Sequence, residues 1–594
     1  MKFFKYVFAS ALGTILAGIV MFFILFALVI GVISIALDDF SSDKTVSIKE
    51  NSVLILDFDG PIVERAVEDN FEIPGFTEKK LGLNEILKTI VKAKEDDKIE
   101  GIYLSFGDIA GGAATTEAIR NALLDFKSSG KWLVAYSEGY SQKGYYMVST
   151  ADEIYLNPEG MIMFTGLNYK PGFVKDMFDK IGIEMQVIRG SNNKFKSAVE
   201  PFMYNQMSEA NKLQSQQLIN SVWGHVVTGI AAERDITEDL VNEAADNLSL
   251  FFADEALDKK FIDGLKYQDE ISIILASKLN SDELDEEHVV EYNDYKNVKL
   301  KATKARDFKK GKIAVIYAVG EIQSGEGDDE TIGSERIAGA IKKARKDSTI
   351  KAIVLRVNSP GGSALASDVI WREVTLARDE KPFVVSMGDL AASGGYYIAC
   401  AADRIYAESS TITGSIGVFG VIPNAQELLN NKIGIHFDGV KTNEHSDIME
   451  VSKPLSQVEY KLIQRNIDDI YESFIGKVAD GRDLRTTYVD SIGQGRVWTG
   501  TDALENGLID EIGGLDQAIT YAAEQANIED YRIKELPRMK NPIEEIFESF
   551  SAEAQAKVMQ NMITNYELLE QFKYMQSVMN MKGVQARLPF YISF

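Results

Sequence analysis

A serine followed by two glycines, in LAASGGYY (390–397), is the residue of this chain best placed for covalent chemistry. Gly394 and Gly395 permit a tight turn and let a substrate backbone come close to Ser393. If a helix starts at that turn, its free N–H groups and the positive end of its dipole face a reacting carbonyl and stabilise an oxyanion. NSPGG (358–362), at the end of another strand, offers a second donor through Gly361 and Gly362. A serine hydroxyl is a weak nucleophile until a base takes its proton. The four histidines (His225, His288, His436 and His445) all lie away from this motif. A lysine can serve instead if burial lowers its pKa enough to keep it neutral. Residue types alone do not choose among the lysines.

The stretch around Ser393 occurs twice. KPFVVSMGDLAASGGYYIACAADRIYAE (381–408) has an earlier counterpart in KWLVAYSEGYSQKGYYMVSTADEIYLN (131–157). Aligning the shared Gly-Tyr-Tyr sets Gly395 over Gly144, Asp403 over Asp152, and Ser393 over Gln142. Ser141 lies one place away, and the Gly-Tyr-Tyr register argues against it as a second nucleophile. IVLRVNSPGG (353–362) likewise resembles IYLSFGDIAGG (102–112), and TDALENGLIDEI (501–512) resembles DEALDKKFIDGL (254–265). A repeat this long is not a solenoid unit. It describes two homologous domains in one chain, of which one carries the hydroxyl.

Length and composition are those of a multidomain globular protein: 594 residues, 45% hydrophobic and 26% charged. A net charge of −26 argues against a nucleic-acid binder, which needs a basic face. The single cysteine, Cys400, can form neither an internal disulfide nor a thiolate cluster, and the histidines lack metal-ligand spacing. No metal or cofactor is expected.

From Tyr6 to Leu37 there is no charged residue. That exceeds the roughly 20 residues that span a bilayer and the apolar core of a cleavable signal, about 7–15 residues. It reads as an uncleaved transmembrane anchor. Lys2 and Lys5 before it favour a cytoplasmic amino terminus, with the bulk of the chain on the other side.

Beyond the anchor (1–40), apolar strand runs alternate with helical patterns, which predicts α/β architecture with parallel sheets. The first domain runs over 50–280 and opens on the strand VLILDFDGPI (53–62). A charged linker follows at 281–311, and the second domain, 312–540, opens on IAVIYAVGEI (313–322). A helix is expected over 364–378 and another around 394–402. The tail, 541–594, reads as helical and rich in methionine (Met559, Met562, Met575, Met579, Met581).

RVNSPGGS (356–363), SMGDLAASGGYY (386–397), STITGSIGVFG (410–420) and KFKSAVEPF (194–202) together resemble the signal peptide peptidase A (protease IV) family, in its long duplicated form. The four blocks occur in the family's order. The resemblance implies two tandem crotonase/caseinolytic-protease-like spiral βαβ domains after an amino-terminal transmembrane helix. It implies Ser393 as nucleophile, and Lys196, directly before SAVEPF, as general base in preference to Lys194. It implies Ser415 as the residue orienting that lysine, and the N–H groups of Gly362 and Gly394 as the oxyanion hole. On this reading the first domain supplies the lysine and the second the serine, so each half alone is inactive. The implied activity is that of a membrane-anchored serine endopeptidase with a Ser/Lys dyad that degrades cleaved signal peptides. The setting would be the bacterial inner (cytoplasmic) membrane, single-pass, with the catalytic domains on the periplasmic side. Expected partners are signal peptides and other apolar peptides, the membrane, and copies of the chain in a homo-oligomer, a homotetramer by resemblance. The rivals are a crotonase-like acyl-CoA enzyme and a non-catalytic membrane scaffold.

Overall fold

The computed structural model describes residues 48–66, 80–298, 311–539 and 584–587, with four isolated positions near the amino terminus. Two sheets each contain a block of six parallel strands that follows one plan; the second sheet also carries Ile412–Gly414, parallel to Phe383–Ala392, and Val497–Thr499, antiparallel to Ile412–Gly414. In the first, the strands Gly264–Leu265, Glu153–Leu156, Trp132–Ser137, Ile99–Leu104, Ser52–Leu56 and Val289–Glu291 lie side by side in that order. In the second, Glu511–Ile512, Arg404–Ala407, Phe383–Ala392, Ile350–Ser359, Lys312–Val319 and Arg532–Leu536 repeat it. The architecture is α/β, and the duplication read from sequence is a duplication of topology.

Helices repeat too. Glu209–Arg234 and Gln457–Arg482 each run 26 residues from a serine cap, Ser208 or Ser456. Each ends on an aspartate at positive φ, Asp235 or Asp483. The predicted helix appears as Ala364–Arg378. The strand read at 382–387 runs on to Ala392, which carries the chain to Ser393, and the helix after it is Gly394–Ala399. Inside the stretch read as linker, Val289–Glu291 adds the edge strand of the first sheet, and Tyr292 and Tyr295 pack into that half's core.

A third, mixed sheet joins the halves. Its order is Thr331–Gly333, Glu321–Gln323, Gly361–Ser363, Gln585–Arg587, Phe419–Asn424, Glu184–Arg189. The last strand comes from the first half and pairs antiparallel over its whole length with Phe419–Asn424 of the second. The halves are also locked by a buried ion pair, Glu64 with Arg356, whose Nε–Oε2 distance is 2.9 Å. Asp389 further accepts from Thr115 N–H at 2.9 Å and Thr115 Oγ1–H at 2.6 Å.

Among the described residues no helix is long and apolar enough to cross a membrane. The run read as the anchor lies outside the described residues apart from those four positions, and so does the tail apart from 584–587.

Candidate active site

Ser393 stands between the strand Phe383–Ala392 and the helix Gly394–Ala399, with φ 55° and ψ −112°. A side-chain-bearing residue holds positive φ only where its surroundings enforce it. Here Ser393 N–H donates to Gly414 O at 2.8 Å, and Tyr397 N–H donates to Ser393 O at 2.9 Å. Gly395 lies so close to the neighbouring strand end that a Cβ would stand 2.8 Å from Ser359 O.

Lys196 is delivered from the first half by the strand Glu184–Arg189. Phe195 N–H then donates to Gln494 O at 2.9 Å. Gln214 Nε2 donates to Phe195 O and Ser197 Oγ, both at 2.8 Å. This pins the backbone on both sides of the lysine. Lys196 is wholly buried, and its Nζ lies 2.9 Å from Ser393 Oγ, 2.9 Å from Ser415 Oγ and 3.0 Å from Ser415 O. Desolvation pushes its pKa well below the ordinary lysine value. A neutral amine can give its two N–H groups to Ser415 and turn its lone pair to the Ser393 O–H. That arrangement can draw the proton from Ser393 as Oγ attacks a carbonyl. Lys194, two residues away, is exposed.

Ser415 is held at φ 50°, and its N–H donates to Arg496 O at 2.7 Å. Gly362 and Gly394 lie side by side: Gly362 N is 3.1 Å from where a Cβ on Gly394 would stand. All five residues singled out in the sequence (Ser393, Lys196, Ser415, Gly362 and Gly394) therefore come together within one chain.

Two glycines that sequence reasoning passed over shape the lysine's seat. Gly495, at φ +83°, approaches so closely that a Cβ there would be 2.5 Å from Lys196 Cβ. A Cβ on Gly417 would be 3.3 Å from Lys196 Cδ. Their signal was visible only as glycines in TGSIG and SIGQG, both common turn compositions. Glu200 of the same SAVEPF block serves structure instead: it accepts from Ser208 N–H at 3.1 Å, Ser208 Oγ at 2.6 Å and Asn211 Nδ2 at 2.9 Å.

The corresponding place in the first half is filled. Gln142 Oε1 accepts from Thr165 N–H at 3.0 Å and Gly166 N–H at 2.8 Å. Strand register sets Phe164 where the second half has Ser415, and its ring packs 5.3 Å from Trp223 and 6.1 Å from Tyr145. Ser141 caps the helix Gln142–Val148 and donates to Asp108. An amide and an aromatic core replace the hydroxyls.

A serine strained on a turn, hydrogen-bonded to a desolvated lysine and flanked by glycine amides, is an arrangement suited to hydrolysis by acyl transfer. The chain belongs to peptidase family S49, whose family model matches it twice, over residues 125–281 and 375–529, and it is a serine peptidase. It is 34% identical over 515 residues to Protease 4 of Haemophilus influenzae, covering 83% of this chain and 82% of that protein. It is 37% identical over 499 residues to Protease 4 of Salmonella typhi, with 81% and 79% covered. To the chloroplastic serine protease SPPA of Arabidopsis thaliana it is 34% identical over 460 residues, with 75% and 66% covered.

Proposed function

We propose that this protein is a membrane-anchored endopeptidase that degrades cleaved signal peptides with a Ser393/Lys196 dyad. The observation that carries the reading is the 2.9 Å contact between Lys196 Nζ and Ser393 Oγ, both wholly buried. Neutral Lys196 takes the Ser393 proton as Oγ bonds to the substrate carbonyl carbon, and the N–H groups of Gly362 and Gly394 stabilise the oxyanion. Collapse breaks the C–N bond, and Lys196 passes the proton to the leaving amine. A water, deprotonated by Lys196 in turn, then cleaves the acyl-enzyme and restores Ser393. Ser415 keeps the lysine's lone pair on Ser393.

The substrate class follows from the family resemblance of the four sequence blocks and from the apolar run 6–37, which would hold the site near the membrane where spent signal peptides remain. The same resemblance supports tandem spiral βαβ domains, a homotetramer, and a single-pass protein of the bacterial inner membrane with the catalytic domains on the periplasmic side.

The test is cleavage of a synthetic signal peptide by the full chain in detergent. Wild type should cleave, while Ser393→Ala and Lys196→Ala should each lose at least about 10³-fold in kcat with assembly intact. Full activity in both variants would overturn the reading. Protease digestion of intact spheroplasts should degrade the catalytic domains, and protection would overturn their placement.

A further inference from the structure

The strand Gln585–Arg587 lies between Gly361–Ser363 and Phe419–Asn424, antiparallel to both. It pairs Gly361 with Arg587, Gly362 with Ala586, and Ser363 with Gln585. A two-edged slot beside a nucleophile is how a peptidase grips an extended peptide through main-chain hydrogen bonds, leaving side chains to set specificity. The chain's own segment therefore displays what the slot accepts.

Two preferences can be read from it. Ala586 is wholly buried, and its carbonyl oxygen lies 2.2 Å from where a Cβ on Gly361 would stand and 3.1 Å from that position on Gly394. The carbonyl of Ala586 thus lies against Gly394, the residue after Ser393, where Gly362 N also approaches, which makes the bond between Ala586 and Arg587 the one to compare with a scissile bond. The next side chain, Arg587, is 2% exposed, and its Nη1 donates to Glu321 Oε1 at 3.2 Å. Glu321 begins the strand on the other side of Gly361–Ser363, from which its carboxylate reaches the side chain of Arg587 in the slot. A part-buried carboxylate facing a neutral residue there would lose a charge-assisted partner without regaining full hydration.

We propose that Glu321 is a specificity-determining residue that selects a basic side chain immediately after the carbonyl presented to Ser393. The proposal rests on the dyad reading above. The preferred peptide carries a small residue followed by arginine or lysine.

The test uses the full chain in detergent and two internally quenched peptides that share the core Val-Gln-Ala-X-Leu, with X arginine or glutamine. Wild type should cleave the arginine peptide with about tenfold higher kcat/KM, chiefly through KM. In Glu321→Gln the ratio should fall to about one. In Glu321→Lys, a third peptide with glutamate at X should become the preferred one. The readout is a ratio within one preparation, so a partly damaged variant still reports. Equal cleavage of the two peptides by wild type, or an unchanged ratio in Glu321→Gln, overturns the role of Glu321 while leaving the dyad intact. Undiminished cleavage by Ser393→Ala overturns the dyad and this proposal with it.

Discussion

Gly495 and Lys196 touch backbone to side chain so closely that a methyl group on the glycine would stand 2.5 Å from the lysine Cβ. The proposed base is thus seated by the absence of a side chain some three hundred residues downstream. Gly495→Ala meets this contact and also a φ of +83°, which disfavours any Cβ. A displacement of about 1 Å in a catalytic group costs on the order of 10²-fold in rate. We expect that loss in kcat with the fold retained, measured by peptide hydrolysis beside circular dichroism.

Burial makes the lysine useful and costs stability. Its folded pKa lies below the ordinary 10.5, so between the two values the unfolded chain binds one proton more than the folded chain. Stability therefore rises with pH across that window. Activity should also rise with pH and level off well below 10.5, because the neutral amine is the working form. Lys196→Met should abolish activity, raise the melting temperature at neutral pH and flatten its pH slope. A lower melting temperature would contradict this account.

Glu64 and Arg356 are both nearly fully buried, and they come from different halves. Arg356 also donates to Ser386 Oγ and Met387 O, at 2.8 and 2.7 Å. Glu64→Ala leaves the guanidinium without its counter-charge, and removing one partner of a buried pair costs about 3–5 kcal/mol. We expect a marked drop in the urea midpoint of Glu64→Ala, and a much smaller one for the joint replacement Glu64→Leu/Arg356→Met.

A second buried pair spans the same interface. Burial beside Glu117 pushes the Glu408 carboxyl up to about 8. Burial would raise Glu117 too, but hydrogen bonds from His225 and Ser410 outweigh it and keep Glu117 ionised. A raised carboxyl pKa contributes stability at low pH that is lost as pH rises through the folded value. The contribution of Glu408 should therefore fall between about pH 5 and 8, opposing that of Lys196. Glu408→Gln should make the melting temperature rise more steeply, or fall less, over that range than in wild type.

Arg587 anchors the strand that fills the slot, so an incoming peptide must displace it. Arg587→Gln loosens that hold, and KM for short peptides should drop several-fold with kcat little changed. An unchanged KM would mean that the segment does not compete.

The architecture was largely legible, because alternating strand and helix patterns and the repeated Gly-Tyr-Tyr are local. So was the turn at Ser393, since Gly394 and Gly395 announce it. Lys196 was legible only through family resemblance: nothing in KFKSAVEPF tells a buried lysine from a solvated one until the strand before it finds its partner. That partner, Phe419–Asn424, lies in the other half, and a period of two names a strand but not its neighbour. Gly417 and Gly495 looked like any turn glycines. Glu64 carried no sign that an arginine nearly three hundred residues away would claim it. Val-Gln-Ala-Arg, at 584–587, is too short to show any period.

The third sheet also orders events in time. A ribosome makes the lysine first, the serine 197 residues later, and the strand that fills the slot later still. While the chain is being synthesised, no hydrolytic pair exists until the second half has emerged and folded against Glu184–Arg189. Almost as soon as it does, the slot beside that pair receives its own strand. A nascent peptidase is thus unarmed for most of its synthesis and occupied at its end.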